Sequence, residues 1–271
     1  MLEHFVEWLK NTPVAIAFGV LLFVFSSLIT ITNGISLVKR YYSNTLGYKE
    51  GLIKNLQLLS AGVNINYLKT IFGQPCFVNK KEQRIEYIFV NKYYYLQAIT
   101  NTDDKVLATS ITTREPNFNP LISLGPYTTD RKTFNVELGK TTFFELEKNG
   151  FGKPTSVSGG IGNRRFFYGE EYYFGNPGNY QYYYFSLNDA GYIKYSEGDD
   201  WSLPLIDEQG KVKLENPKTE NFRKNQIINT FTITDPLVNT NDVCFSGFAE
   251  DNSEKCFYLG PDLDQVRILK E

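Results

Sequence analysis

Histidine is nearly missing from this 271-residue chain; the one present, His4, stands at its very start. The body that follows therefore has no imidazole for general-base chemistry, for a Ser-His pair or for a histidine zinc site. Cysteine is scarce as well: Cys76, Cys244 and Cys256 make an odd count, and none forms a C-x-x-C pair of the redox or zinc-binding kind. There is no basic run and the formal net charge is -2, so no nucleic-acid partner is expected. The one glycine-rich loop, residues 159–162, has no Lys-Ser/Thr after it and reads as a turn, not a phosphate cradle. The adjacent carboxylates Asp103-Asp104, Glu170-Glu171 and Asp199-Asp200 read as solvated surface. Together these absences point away from an enzyme, and neither a cofactor nor a metal is expected.

Charge is also absent from residues 11–38, and residues 14–31 are apolar but for Gly19, Ser26, Ser27 and Thr30. At ~1.5 Å per residue that run approaches the ~30 Å thickness of a bilayer core, so a single transmembrane helix is expected over 13–38, after a tail at 1–12. Glu3 and Glu7 flank its start, and no small-x-small site lies near its end, which favours an uncleaved anchor. Lys39, Arg40, Lys49 and Lys54 outnumber Lys10 and the terminal amine. That bias favours a bacterial inner-membrane, single-pass protein with its body on the cytoplasmic side. A stalk helix is expected over 39–61, with Leu52, Leu56 and Leu59 on one stripe and a bend near Gly47 and Gly51.

What the remaining chain does have is an internal repeat. Residues 62–75 begin at Gly62 and end Phe72-Gly73-Gln74-Pro75; residues 139–154 begin at Gly139, carry two extra positions, and end Phe151-Gly152-Lys153-Pro154. Each segment reads as a short helix, with Asn64 or Thr141 as cap and apolar positions facing inward. Gly73 and Gly152 can end it in a left-handed conformation, and the prolines then force extended chain. Strands are expected at Arg84–Val90, 93–100 and 105–113 in the first copy, and at 164–174, 180–187 and 192–197 in the second. The expected fold is α+β: transmembrane helix, repeat 1 over 62–115, repeat 2 over 136–198, each a short helix plus a three-stranded antiparallel sheet. A β-rich carboxyl-terminal unit over 201–271 completes it, with residues 207–225 as a loose, charged connection.

A short helix closed by Phe-Gly-x-Pro and followed by antiparallel strands resembles the module shared by the outer-membrane assembly small lipoproteins and the β-lactamase inhibitor proteins. The resemblance spans roughly residues 52–198 and rests on the two Phe-Gly-x-Pro motifs with Gly62 and Gly139. It implies binding to proteins or envelope components without catalysis.

Aromatic residues are abundant, 21 Phe and 19 Tyr, and they gather in the strands. Because strand side chains alternate, Tyr182 and Tyr184 lie on one face while Tyr183 and Phe185 lie on the other, and a helix covers only one. Tyr93, Tyr95, Tyr182 and Tyr184 are thus the candidate partner surface, tyrosine being suited to exposed recognition. The competing reading covers that face with the second repeat or the carboxyl-terminal segment. Cys244 and Cys256, on an expected hairpin, are a candidate disulfide. The resulting expectation is a membrane-anchored, non-catalytic protein-interaction module with an unknown protein partner. The alternative is a ligand sensor or membrane effector in a stress or defence pathway, which a polar pocket between the repeats would favour.

Overall fold

The computed structural model describes residues 3, 6–7, 24–26, 29, 47–127, 132–162, 165–176, 179–193, 214–236, 238 and 257–267. The chain divides into two units, Met1–Leu52 and Ile53–Glu271. In the first, the described residues are scattered helical positions and the beginning of α1 (Tyr48–Leu56). Among the described residues no helix is long and apolar enough to cross a membrane. The expected single-pass span at 13–38 is therefore not supported, nor are the inner-membrane location and orientation drawn from it. Of that segment only residues 24–26 and 29, all helical, are described, and the rest lies outside the described residues. Helix α1 is also shorter than the expected stalk. It begins just after a bend at Gly47 and runs unbroken through Gly51, whose amide donates to the Gly47 carbonyl at 3.0 Å.

The second unit is mostly sheet. Its elements are α2 (Ile65–Phe72), β1 (Phe77–Lys81), β2 (Arg84–Val90), β3 (Tyr94–Asn101), β4 (Val106–Thr113), β5 (Leu121–Tyr127) and β6 (Lys132–Glu137). Then come α3 (Phe143–Leu146), β7 (Ser156–Gly162), β8 (Arg165–Asn176), β9 (Asn179–Asn188), α4 (Pro217–Asn225), β10 (Thr230–Thr234) and α5 (Leu263–Arg267). In place of two three-stranded sheets there is one antiparallel sheet of eight strands, ordered β1-β2-β3-β4-β10-β9-β8-β7, with β5 and β6 paired apart from it. Each half contributes four strands. The fourth strand of the second half is β10, taken from the segment expected to form a separate carboxyl-terminal unit; residues 192 and 193, expected to begin that strand, are not in one.

The two halves match in register as well as in order. One row of directly paired residues crosses the whole sheet: Phe77, Ile88, Gln97, Ser110, Thr232, Tyr184, Glu171, Ser156. An approximate two-fold passes between Ser110 and Thr232, where Thr232 Oγ1 donates to Ser110 Oγ at 2.7 Å. The helix caps obey the same relation. Asn64 bridges Lys105 just before β4, and Thr142 bridges Ile227 just before β10. The amide of Gly62 donates to the Val106 carbonyl at 2.7 Å, and that of Gly139 to the Ile228 carbonyl at 2.8 Å.

Local chemistry explains these elements. The Asn64 side chain accepts from the Asn66 amide and starts α2; in the second half the cap is Thr142, one residue beyond the expected Thr141, in a capping box with Glu145. Of the two extra positions in the second copy, one precedes that cap and the other is absorbed by a widened turn at Glu147–Phe151. Gly73 (φ 85°, ψ -157°) and Gly152 (φ 75°, ψ -160°) then reverse the chain in a region that is essentially glycine-only. On the helix side of the sheet Phe72 packs on Phe89 at 6.4 Å between ring centroids, while Phe151 meets Phe185 at 5.3 Å and Tyr172 at 5.6 Å. The 207–225 segment, expected to be loose, contains α4, started by the Asn216 side chain and a proline in its first turn.

The opposite side is covered over its first half and centre by the carboxyl-terminal segment. Val238, Phe257 and Leu259 pack on Ile99, Ala108 and Tyr184, and Val266 packs on Ile88 and Tyr95. Gln97 fastens this strap: its Oε1 accepts from the Gly260 amide at 2.7 Å and its Nε2 donates to the Tyr258 carbonyl at 2.9 Å. Residues 263–267, within the unit expected to be β-rich, form α5 instead, because the Asp262 carboxylate accepts from the Asp264 amide and caps a helical turn.

Candidate functional site

The strap leaves one part of its face open. On the β8–β9 hairpin Tyr173 pairs across the strands with Tyr182, and Gly175 pairs with Tyr180. Glycine offers no ring at that corner, so the Tyr180 ring turns toward Tyr173 and stacks on it, 5.5 Å between centroids and 27° between planes. Tyr173 also lies 4.6 Å from Tyr182, so the three rings form a ladder. Tyr173 is 47% exposed and Tyr180 41%, while Tyr182 is half-buried against the core beneath the strap. One step along the same face the ladder ends on Glu171, directly opposite Tyr184.

Of the four tyrosines expected to form a partner surface, three are elsewhere. Tyr95 and Tyr184 are buried, covered by the strap, and present no ring to a partner. Tyr93 is half-buried and stacked on Phe118 at 5.3 Å. Only Tyr182 belongs to the open ladder; Tyr173 and Tyr180 were missed. The missing signal was register: once β8 and β9 are paired around a long hairpin, alternation puts Tyr173 and Tyr180 beside Tyr182 on one face.

Glu170 and Glu171, expected as solvated neighbours, are both buried and point to opposite faces, as adjacent strand residues must. Glu171 Oε1 accepts from Thr155 Oγ1 at 2.9 Å, while Oε2 is buried without a hydrogen bond. Burial, and then the charge of Glu171 beside it, hold the Tyr184 hydroxyl above its ordinary range.

On the helix side Glu170 accepts from Arg223 Nε at 2.6 Å and from a terminal guanidinium nitrogen at 3.2 Å, from Tyr168 Oη at 2.8 Å and from Tyr172 Oη at 2.6 Å. Arg223 also reaches Glu147 at 3.1 Å. Burial and then Glu170 raise both phenols above their ordinary range. Burial opposes the charged form of Arg223, but the hydrogen bonds and charge of Glu170 prevail and hold it above its ordinary value. Every oxygen of Glu170 is engaged by side chains of the fold itself, so this cluster fastens α4 to the sheet.

Among the described residues no group of three or more His, Cys, Asp or Glu could hold a metal ion. Cys76 is an exposed free thiol; Cys244 and Cys256, the candidate disulfide, lie outside the described residues. At their seam the halves meet as paired strands, β4 on β10, and not as the walls of a cleft.

No family model matches the chain, and no curated protein is similar to it. Among solved structures, a cysteine-rich secretory protein from Staphylococcus aureus is similar at 12% identity and a TM-score of 0.33. The similarity covers 68% of this chain and 47% of that one.

Proposed function

We propose that this chain is a non-catalytic protein-interaction module whose contact surface is the ladder Tyr173, Tyr180 and Tyr182. The observation that carries this reading is the exposure of two large rings, stacked on each other, on a sheet face that is otherwise covered by the chain's own strap. Stacked neighbours already restrict these rings, so a partner that covers them loses little rotamer entropy while burying a wide apolar area. A photo-reactive benzoylphenylalanine at position 180 tests this reading in cells. A discrete adduct with one partner is expected, and Tyr173→Ser, at the most exposed ring of the ladder, removes it while the unfolding midpoint stays in place. Truncating a central aromatic contact costs on the order of 2 kcal/mol of binding, enough to lose the adduct. An adduct unchanged by Tyr173→Ser sinks the assignment.

A further inference from the structure

The two-fold relation places a second tyrosine pair where Tyr180 and Tyr182 stand. Counted through the row that crosses the sheet, Tyr93 and Tyr95 at the beginning of β3 are their counterparts. In the first half both rings carry a cation. The Arg114 guanidinium lies over Tyr95 at 4.4 Å from the ring centroid, and the Lys92 ammonium lies over Tyr93 at 5.6 Å. Arg114 directly follows β4, and the position related to it after β10 is Pro236; Lys92 precedes Tyr93 as Asn179 precedes Tyr180. The second half has therefore kept the rings and lost both cations. Among the described residues no lysine or arginine lies over Tyr173, Tyr180 or Tyr182.

The end of the ladder changed in the complementary sense. Ile88 in the first half is replaced in the same row by Glu171, whose buried Oε2 makes no hydrogen bond and which no ion pair reaches among the described residues. An aromatic face attracts a cation through its quadrupole, and a carboxylate one step along the face, with no cation paired to it among the described residues, adds to that attraction. Arginine fits better than lysine, since its planar group stacks on a ring while still donating hydrogen bonds.

We propose that the Tyr173–Tyr180–Tyr182 ladder binds an arginine side chain of the partner protein, in the manner in which Tyr95 holds Arg114 within this chain. This rests on the ladder being the contact surface. The probe is the peptide Gly-Arg-Gly-Arg-Gly, compared with its citrulline twin, which keeps the planar shape but exchanges one donating nitrogen for a carbonyl acceptor and loses the charge. Both are titrated into the full chain labelled with carbon-13 at the tyrosine rings. The arginine peptide shifts the rings of Tyr173, Tyr180 and Tyr182 and binds about two- to fivefold more tightly than the citrulline peptide, the range of an exposed cation–aromatic contact. Glu171→Gln narrows that difference. Equal binding of the two peptides, or shifts confined to other tyrosines, overturns the proposal; so does a photo-adduct at position 180 with a second copy of this chain through a neutral segment. If the arginine peptide fails while the partner adduct at position 180 persists, the cation is wrong and the contact surface stands.

Discussion

The two halves of the sheet share a backbone and differ in what they do with it. Equivalent caps, equivalent positive-φ glycines and a common pairing row set the chain path in both. The side chains diverge. The first half is covered by the strap, and Arg114 and Lys92 occupy its tyrosines. The second half inserts α4 between its third and fourth strands, buries Arg223 against Glu170, and leaves its tyrosines open. Backbone geometry is conserved in a duplication because every pairing depends on it; the outward side chains are free to change, so the differences between halves mark where a role can reside.

The sharpest way to break the comparison is at the buried ion pair, which the first half does without. Arg223 is 4% exposed and Glu170 fully buried. Arg223→Met leaves the Glu170 charge buried and unpaired, and is expected to destabilise the fold by about 3–5 kcal/mol in urea unfolding. Adding Glu170→Gln recovers most of this, because the charge is gone while one of Tyr168 and Tyr172 keeps its acceptor and the other phenol oxygen can accept from the new amide. Tyr87 holds the related place in the first half, and its hydroxyl makes only a 3.5 Å contact with Asp104. Tyr87→Phe should stay within about 0.5 kcal/mol of the parent. A small loss at Arg223 would show that α4 is held by its apolar contacts alone.

A smaller and more symmetrical effect is expected where the halves agree. A Cβ added at Gly73 or at Gly152 meets nothing within 4 Å, so alanine there strains only the backbone. Each substitution is expected to cost roughly 1–3 kcal/mol, and the two costs should agree closely because φ and ψ do. Clearly unequal losses would mean that the second helix end, with its widened turn, is not mechanically equivalent to the first.

Those glycines show what was legible in the sequence. Phe-Gly-x-Pro marked both helix ends, and Arg84–Val90 emerged as β2 with the expected bounds, since it is rich in β-branched and aromatic residues and a short turn, Asn91-Lys92, follows it. The strand β7 was read as a flexible loop because glycine, three times in seven residues, weakens every local strand signal; pairing with β8 overrides it. The strand β10 was assigned to a separate unit because α4 and its approach distance it from β9 in the chain, and long-range pairing leaves no local trace. The strands joined by β5–β6 pairing were missed for a similar reason, β5 containing both Gly125 and Pro126. As for the candidate site, Tyr182 was readable from alternation alone, but the burial of Tyr95 and Tyr184 depends on a strap that begins far along the chain, at Val238, and the vacated cation positions become visible only through the two-fold.

The smallest expected effect concerns a buried carboxyl on the strap side of the first half, at a position held by Gly169 in the second. Glu86 accepts from Asn79 at 2.7 Å and from Gln97, the residue that fastens the strap. Burial is the largest influence on it and raises its pKa above 4.5; the hydrogen bonds from Asn79 and Gln97 and the charge of Lys81 on β1 act against this, and Asp262 on the strap adds to it. A carboxyl whose pKa is higher in the folded state favours folding most when protonated. Its contribution is complete below pH 4.5 and is lost as pH rises through the raised value. Glu86→Gln keeps the acceptor for Gln97, and Asn79 can turn its amide to receive the new donor. The variant should therefore be more stable than the parent at pH 7, and the two unfolding midpoints should converge below pH 4.5. If the gap stays constant with pH, Glu86 does not titrate differently in the folded chain, and the strap of the first half owes its attachment to Gln97 and its apolar contacts without any charge beneath it.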